Sequence, residues 1–108
     1  MSSYRKRRPI NMANSLISVQ IIPKTEKYED VIPYVDAAIA VIDASGVNYE
    51  VHPLETTMEG ELTTLLQIIE KMNVKMVELG AINVITQVKI LYQPNGITMA
   101  TLTEKYQS

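Results

Sequence analysis

The chain has 108 residues, of which 46% are hydrophobic and 20% charged, with a formal net charge of −2. That composition suits one compact domain with one core and excludes global disorder. The absence of cysteine excludes disulfides, thiolate metal sites and a cysteine nucleophile, and fits a cytoplasmic protein. No apolar run approaches the ~18 residues of a membrane span, and the basic start is not followed by the apolar segment of a signal peptide.

Charge is unevenly spread. Arg5, Lys6, Arg7 and Arg8 are four of the ten basic residues, which leaves six basic against twelve acidic groups in the rest of the chain. Residues 1–13 therefore read as a flexible basic tail, and 14–108 as a single acidic domain. With no Trp and no Phe, the core must be aliphatic, with Met and Tyr filling gaps.

The first element, "SLISVQII" (15–22), is short, apolar and β-branched, and reads as a buried strand ended by Pro23. Ile17, Val19 and Ile21 share one face; Ser18, Gln20 and Ile22 share the other. A polar loop, "KTEKYED" (24–30), leads into a helix starting between Tyr28 and Ile32, because Pro33 is tolerated only in a first turn. Its apolar positions are Val31, Val35, Ala38, Ile39 and Ile42, and Gly46 is its natural cap. "VNYEVHP" (47–53) alternates as a strand, with Val47, Tyr49 and Val51 inward and Asn48, Glu50 and His52 outward.

"LETTME" (54–59) reads as a second short strand after a tight connection. A rival reading makes Thr56-Thr57-Met58-Glu59 a capping box that starts the next helix. That helix spans 60–80, with Leu62, Leu65, Leu66, Ile69, Met72, Met76 and Leu79 as its apolar stripe and Gly80 at its end. "AINVITQVKILY" (81–92) is the last strand, with Ile82, Val84, Thr86, Val88 and Ile90 inward and Asn83, Ile85, Gln87 and Lys89 outward. "QPNG" (93–96) is a turn, and 97–106 reads weakly as strand or short helix.

The order β-α-β-β-α-β with right-handed crossovers predicts an α+β, ferredoxin-like sandwich: a four-stranded antiparallel sheet with two helices on one face. The other face offers Ser18, Gln20, Asn48, Glu50, His52, Glu55, Thr57, Glu59, Asn83, Ile85, Gln87 and Lys89. Neutral hydrogen-bonding side chains mixed with isoleucine suit a face that another subunit or a ligand covers. A plain, modestly polar open face is the simpler alternative.

Other chemistries are poorly served. His52 is the only histidine and forms no zinc motif. There is no nucleophile elbow, no phosphate loop and no dinucleotide fingerprint. Beyond Arg8 the chain has no arginine, which argues against a pocket for a phosphorylated ligand. The open face lacks the aromatic residues with which RNA-binding domains of this topology stack bases, so neither nucleic acid nor membrane is expected as a partner.

Three stretches carry a family resemblance: "SVQIIP" (18–23), "GVNYEVHPLETTMEGEL" (46–62) and "GAINVITQVKI" (80–90). Together they resemble the small, ferredoxin-like thiamine-binding family, and the likeness spans about residues 15–92. Its most specific part is the T-x-x-E-G signature, here Thr56 to Gly60, with Glu55 where many members carry a glycine. The resemblance implies a binding protein without known catalysis or cofactor, which forms dimers that pair into tetramers. The implied ligand is thiamine or its hydroxymethylpyrimidine half, held near subunit interfaces. Placed on these strand phases, the expected ligand-binding residues are Ser18, Gln20, Thr57, Glu59, Asn83 and Gln87, with Tyr49 as a source of a ring. An enzyme using Glu59 or His52 as acid or base, and a pure assembly module, are the competing readings.

Overall fold

The computed structural model describes residues 13–26 and 30–100. The elements follow the expected order: β1 (Ser15–Lys24), α1 (Ile32–Ser45), β2 (Asn48–Val51), β3 (Thr56–Gly60), α2 (Leu62–Glu78) and β4 (Asn83–Tyr92). They form one four-stranded antiparallel sheet in the order β2-β3-β1-β4, the ferredoxin-like arrangement. The two long outer-sequence strands are neighbours, so the first and last segments of the fold pair along their whole length. The expected basic tail lies outside the described residues, except for Ala13, and so does most of the weak 97–106 element.

The core forms where the helices close over the odd-numbered residues of β1. Ile17, Ile42, Met58, Leu65 and Met76 are fully enclosed, with Val19, Ala38 and Met72 nearly so. Burying an aliphatic side chain of this size stabilises the fold by ~1.5–3 kcal/mol. Gly60 ends β3 under tight packing: a Cβ there would lie 3.1 Å from Leu65 Cδ2. The glycine of the T-x-x-E-G stretch thus lets α2 sit close against the sheet.

Several boundaries and faces differ from expectation. Pro23 does not end β1; the strand continues to Lys24, paired with Asn83. This is possible because β3 has already left: its pairing with β1 stops at Val19↔Thr56. The His52 N–H donates to the Glu55 carbonyl, so odd-numbered residues there address β2 and even-numbered residues of β3 address their odd-numbered partners on β1; even-numbered residues of β1, as the Lys24 carbonyl shows, address β4. By alternation the odd-numbered Pro23 turns toward the vacated side, where a missing N–H costs no ladder bond.

Helix α1 begins at Ile32, the end of the expected window, with Pro33 in its first turn. Asp30 supplies the cap, its Oδ1 accepting from the Ile32 N–H at 3.0 Å. Tyr34, absent from the expected stripe, is buried, because its hydroxyl donates to the Leu79 carbonyl at 3.0 Å and its ring spans the gap between the helices. Val31 precedes the helix and is exposed. On α2 the stripe turns slightly: Ile68 is buried, whereas Leu66 and Leu79 are exposed. Val51, near the free end of β2, is exposed as well. Gly46 and Gly80 close the helices with positive φ, as expected of helix-ending glycines.

The capping-box reading is overturned. Thr56 to Gly60 form β3, and Thr56 is buried against Val19 rather than standing at a helix start. The helix starts three residues after Glu59, and its N-cap residue, Glu61, makes no side-chain cap. Asn14 does the capping from the start of β1: its Oδ1 accepts from the Leu62 N–H and from Ser15 Oγ, each at 3.0 Å. A residue 48 positions away in sequence therefore satisfies an end group of α2.

Asn14→Ala is expected to lower stability by about 1–2 kcal/mol in urea denaturation, through the lost cap and a stranded buried Ser15 hydroxyl. Amide exchange at Leu62 should accelerate in that variant and stay unchanged in Glu59→Ala.

Candidate functional site

The register arranges the open face in rows. Glu50, Thr57, Ser18 and Lys89 lie side by side across all four strands. The next row toward the end of the sheet is Asn48, Glu59, Leu16 and Leu91. In the opposite direction Gln20 faces Gln87, then Ile22 faces Ile85. Ser18, Gln20, Thr57 and Gln87 are thus one contiguous polar cluster over the middle of the sheet, with Glu59 one row away. Ile22 and Ile85 form an exposed apolar step beside it.

Glu59 is held on both carboxylate oxygens. Oε2 accepts from Asn48 Nδ2 at 2.8 Å, and Oε1 accepts from the Met99 backbone N–H at 2.9 Å. The segment after β4 therefore returns across this end of the open face, also tied by the Ile97 N–H donating to the Ala13 carbonyl. Leu16, although on the open face, is buried there.

Asn83 and Tyr49 do not join the cluster. Asn83 pairs with Lys24, eight residues along β1 from the partner of Glu59, about 27 Å at the usual rise of a strand. Tyr49 is on the helix side of β2, packed against the core, and its hydroxyl donates to Asp43 Oδ1 at 3.0 Å. Asn83 is nearer to Gln20, four residues along β1 or about 13 Å, and Tyr49 lies on the opposite face of the sheet from Gln20 and Thr57.

A cleft opens beside Gln20. Where β3 parts from β1, a cavity of about 180 Å³ lies between the free half of β1 and the turn joining β2 to β3. Its walls are apolar, Val19 and Ile21 from β1 facing Val35, Ala38, Ile39 and Ile42 from α1, and its rim carries Gln20, His52, Glu55 and Thr56. The turn is held by the His52 N–H donating to the Glu55 carbonyl at 2.8 Å. His52 Nε2 also lies 3.5 Å from Glu50 Oε1, an exposed pair of little energetic weight. Among the described residues no group of three acidic or histidine side chains is placed to hold a metal ion.

Residues 17–108 match the family model described as thiamine-binding protein. The chain belongs to the thiamine-binding protein family. It is 43% identical over 94 residues to a UPF0045 protein of Clostridium perfringens, covering 84% of this chain and 95% of that one. Among solved structures it is similar to a domain of unknown function, DUF77, from Bacillus cereus, with a TM-score of 0.82 and 40% identity over 90% of this chain and 93% of that one. It is also similar to a candidate thiamine biosynthesis/salvage protein of Thermotoga maritima, with a TM-score of 0.76 and 28% identity over 87% of this chain and 99% of that one.

In this member of the thiamine-binding protein family, Gln20 was legible as an open-face residue, but the cavity beside it was not. Ile21, Val35 and Ile39 read as core, and His52 as a surface residue or a candidate acid or base. The available signal was the pair of prolines, Pro23 and Pro53, which flank the place where strand pairing stops.

Hydrogen bonding to Asp43 is the main reason the Tyr49 hydroxyl titrates above its ordinary value, with burial and the Asp43 charge adding to it. Because the folded state favours the neutral phenol, this contribution is present below pH ~10 and is lost as pH rises through the folded pKa. In Asp43→Asn, ultraviolet titration should show one tyrosine returning toward the ordinary range.

Proposed function

We propose that the chain binds thiamine or its hydroxymethylpyrimidine half, without catalysing a reaction on it, as a homo-oligomer. The observation that carries this reading is the match of residues 17–108 to the thiamine-binding family. The similarity to the Thermotoga maritima protein, described in terms of thiamine biosynthesis or salvage, points the same way.

The chemistry of the open face supports it. A thiazolium cation is favoured near carboxylates, and Glu50, Glu55 and Glu59 occupy the β2-β3 side of that face while Lys89 is its sole cation in the central row. An aminopyrimidine offers donors and acceptors that Gln20, Gln87, Ser18 and Thr57 can match. Residues 9–108 contain no arginine, the usual bidentate partner of phosphate, so the unphosphorylated vitamin is the better fit.

Assembly is supported by surface that a lone chain leaves uncovered. Ile22, Ile85 and Leu91 are exposed on the open face, and Val88, Ile90 and Tyr92 are exposed along β4. Among the described residues β4 is also an edge strand, paired only with β1. A long apolar edge of this kind is normally covered by a second copy or a partner.

Isothermal titration of thiamine, hydroxymethylpyrimidine and thiamine diphosphate, with the oligomer mass recorded in the same buffer, tests the reading. Saturable binding of an unphosphorylated form is expected, weakened by about tenfold in Gln20→Leu and in Glu59→Gln while the oligomer persists. Retained affinity in both variants would remove these side chains from the site. Ile85→Lys should instead lower the assembled mass.

A further inference from the structure

The turn after β4 holds a side chain and a backbone nitrogen that can react with each other. It is built from Gln93, Pro94, Asn95 and Gly96, and the Gly96 N–H donates to the Gln93 carbonyl at 2.9 Å. Gln93 Nε2 donates in turn to the Gly96 carbonyl at 2.8 Å. Gly96 has a φ of 105°, which glycine adopts without strain. Gln93, Pro94 and Asn95 are all exposed, so opening this turn uncovers no core.

An asparagine amide carbon and the peptide nitrogen that follows it are placed to close a five-membered ring. A side chain on the following residue crowds that nitrogen and hinders closure. Six asparagines occur in the chain, and only Asn95 precedes a glycine. Asn48, Asn73 and Asn83 precede the bulky Tyr49, Val74 and Val84. The side chains of Asn14, Asn48 and Asn73 are also committed to hydrogen bonds. Among the described residues Asn95 alone joins an exposed amide to an unhindered neighbour.

We propose that Asn95–Gly96 is a self-modification site, at which the chain exchanges an amide for a carboxylate and unties the returning segment from Glu59. The Gly96 nitrogen gives its proton to hydroxide and attacks Asn95 Cγ. The new C–N bond closes a succinimide, while the side-chain nitrogen takes up a proton and leaves as ammonia. Water then adds to one of the two ring carbonyls and opens the ring. One opening leaves an aspartate; the other leaves an isoaspartate, whose main chain is longer by a methylene. Water enters and ammonia leaves, with no oxidant or reductant involved. The two turn bonds act as a brake, because the Gly96 nitrogen cannot attack while its N–H is held by Gln93.

Position gives the reaction its consequence. The longer main chain falls just before Ile97, which is buried and whose N–H donates to the Ala13 carbonyl at 2.9 Å. Two residues further on, the Met99 N–H donates to Glu59 Oε1. An added backbone atom at the turn shifts both ties, and Oε1 of Glu59 is released on the open face while Oε2 keeps its Asn48 bond. This modification needs no ligand, so its failure would leave the functional reading above untouched.

The test keeps the full, folded chain in mildly alkaline buffer below its melting temperature. Peptide mapping should place the loss of ammonia at Asn95, with label from an isoaspartate-specific carboxyl methyltransferase at the same position. The rate should rise with pH, because the attacking nitrogen must lose its proton. Gln93→Ala removes one of the two turn bonds and should speed conversion by roughly fivefold. Asn95→Ser should abolish it without changing the melting temperature. In converted chains amide exchange at Ile97 and Met99 should accelerate. Asn95→Asp, which carries the charge without the longer main chain, should keep the slow exchange. Conversion at Asn95 no faster than at Asn83 overturns the site. Isoaspartate at Asn95 with exchange at Ile97 and Met99 unchanged overturns the release of Glu59.

Discussion

Unequal strand pairing governs this molecule. β1 is matched along all ten of its residues by β4, but along only five by β3. The long pairing fixes the sheet, sets which residues face the helices and joins the two ends of the fold. The short pairing leaves half of β1 with a bare edge. Pro23 and the cleft both follow from that bare edge. So does the continuity between the cleft and the polar cluster through Gln20, which belongs to the strand where the two regimes meet.

The T-x-x-E-G stretch has a structural role that its polarity conceals. Thr56 is the last residue to pair with β1 and is buried. Met58 is fully enclosed in the core, and Gly60 admits Leu65. Glu59 gathers Asn48 of β2 and the backbone of Met99. The stretch thus ties the edge of the sheet, the core and the returning segment together. A substitution at Glu59 changes a local scaffold as well as a carboxylate on the open face, so its effect on binding needs Gln20→Leu beside it for interpretation.

Strand phase was legible in the sequence because alternation has a period of two, and a single well-marked apolar face fixes it. That was enough to place Ser18, Gln20, Thr57, Glu59 and Gln87 together on the open face and to put Tyr49 toward the core. It was not enough to show that Asn83 lies far along β1, because distance along a sheet depends on register between strands. Helix caps were legible where glycine supplies a positive φ, at Gly46 and Gly80, and not where Asn14 reaches across the fold. The capping box failed because its spacing is local, whereas burial of Thr56 is decided by its partner Val19. The cleft was hidden for a related reason: a missing strand neighbour leaves no mark on the residues that lack it, apart from a proline that only an unpaired edge tolerates.

Pro23 has a consequence for colloidal behaviour. A bare strand edge invites a foreign strand to dock, which is how sheets recruit copies into aggregates. On the gap side of β1 a proline interrupts the row of donors, and the roof of α1 with the His52–Glu55 turn narrows the approach. An intruding strand would find only a short run of ladder there. The outer edge of β4 has no proline in its ten residues and a single charge, at Lys89. The bare edge of β1 and the outer edge of β4 are therefore unequal hazards: among the described residues the first is guarded within the chain and the second is not. Crowded or freshly synthesised chains should therefore meet through β4 sooner than through the gap side of β1.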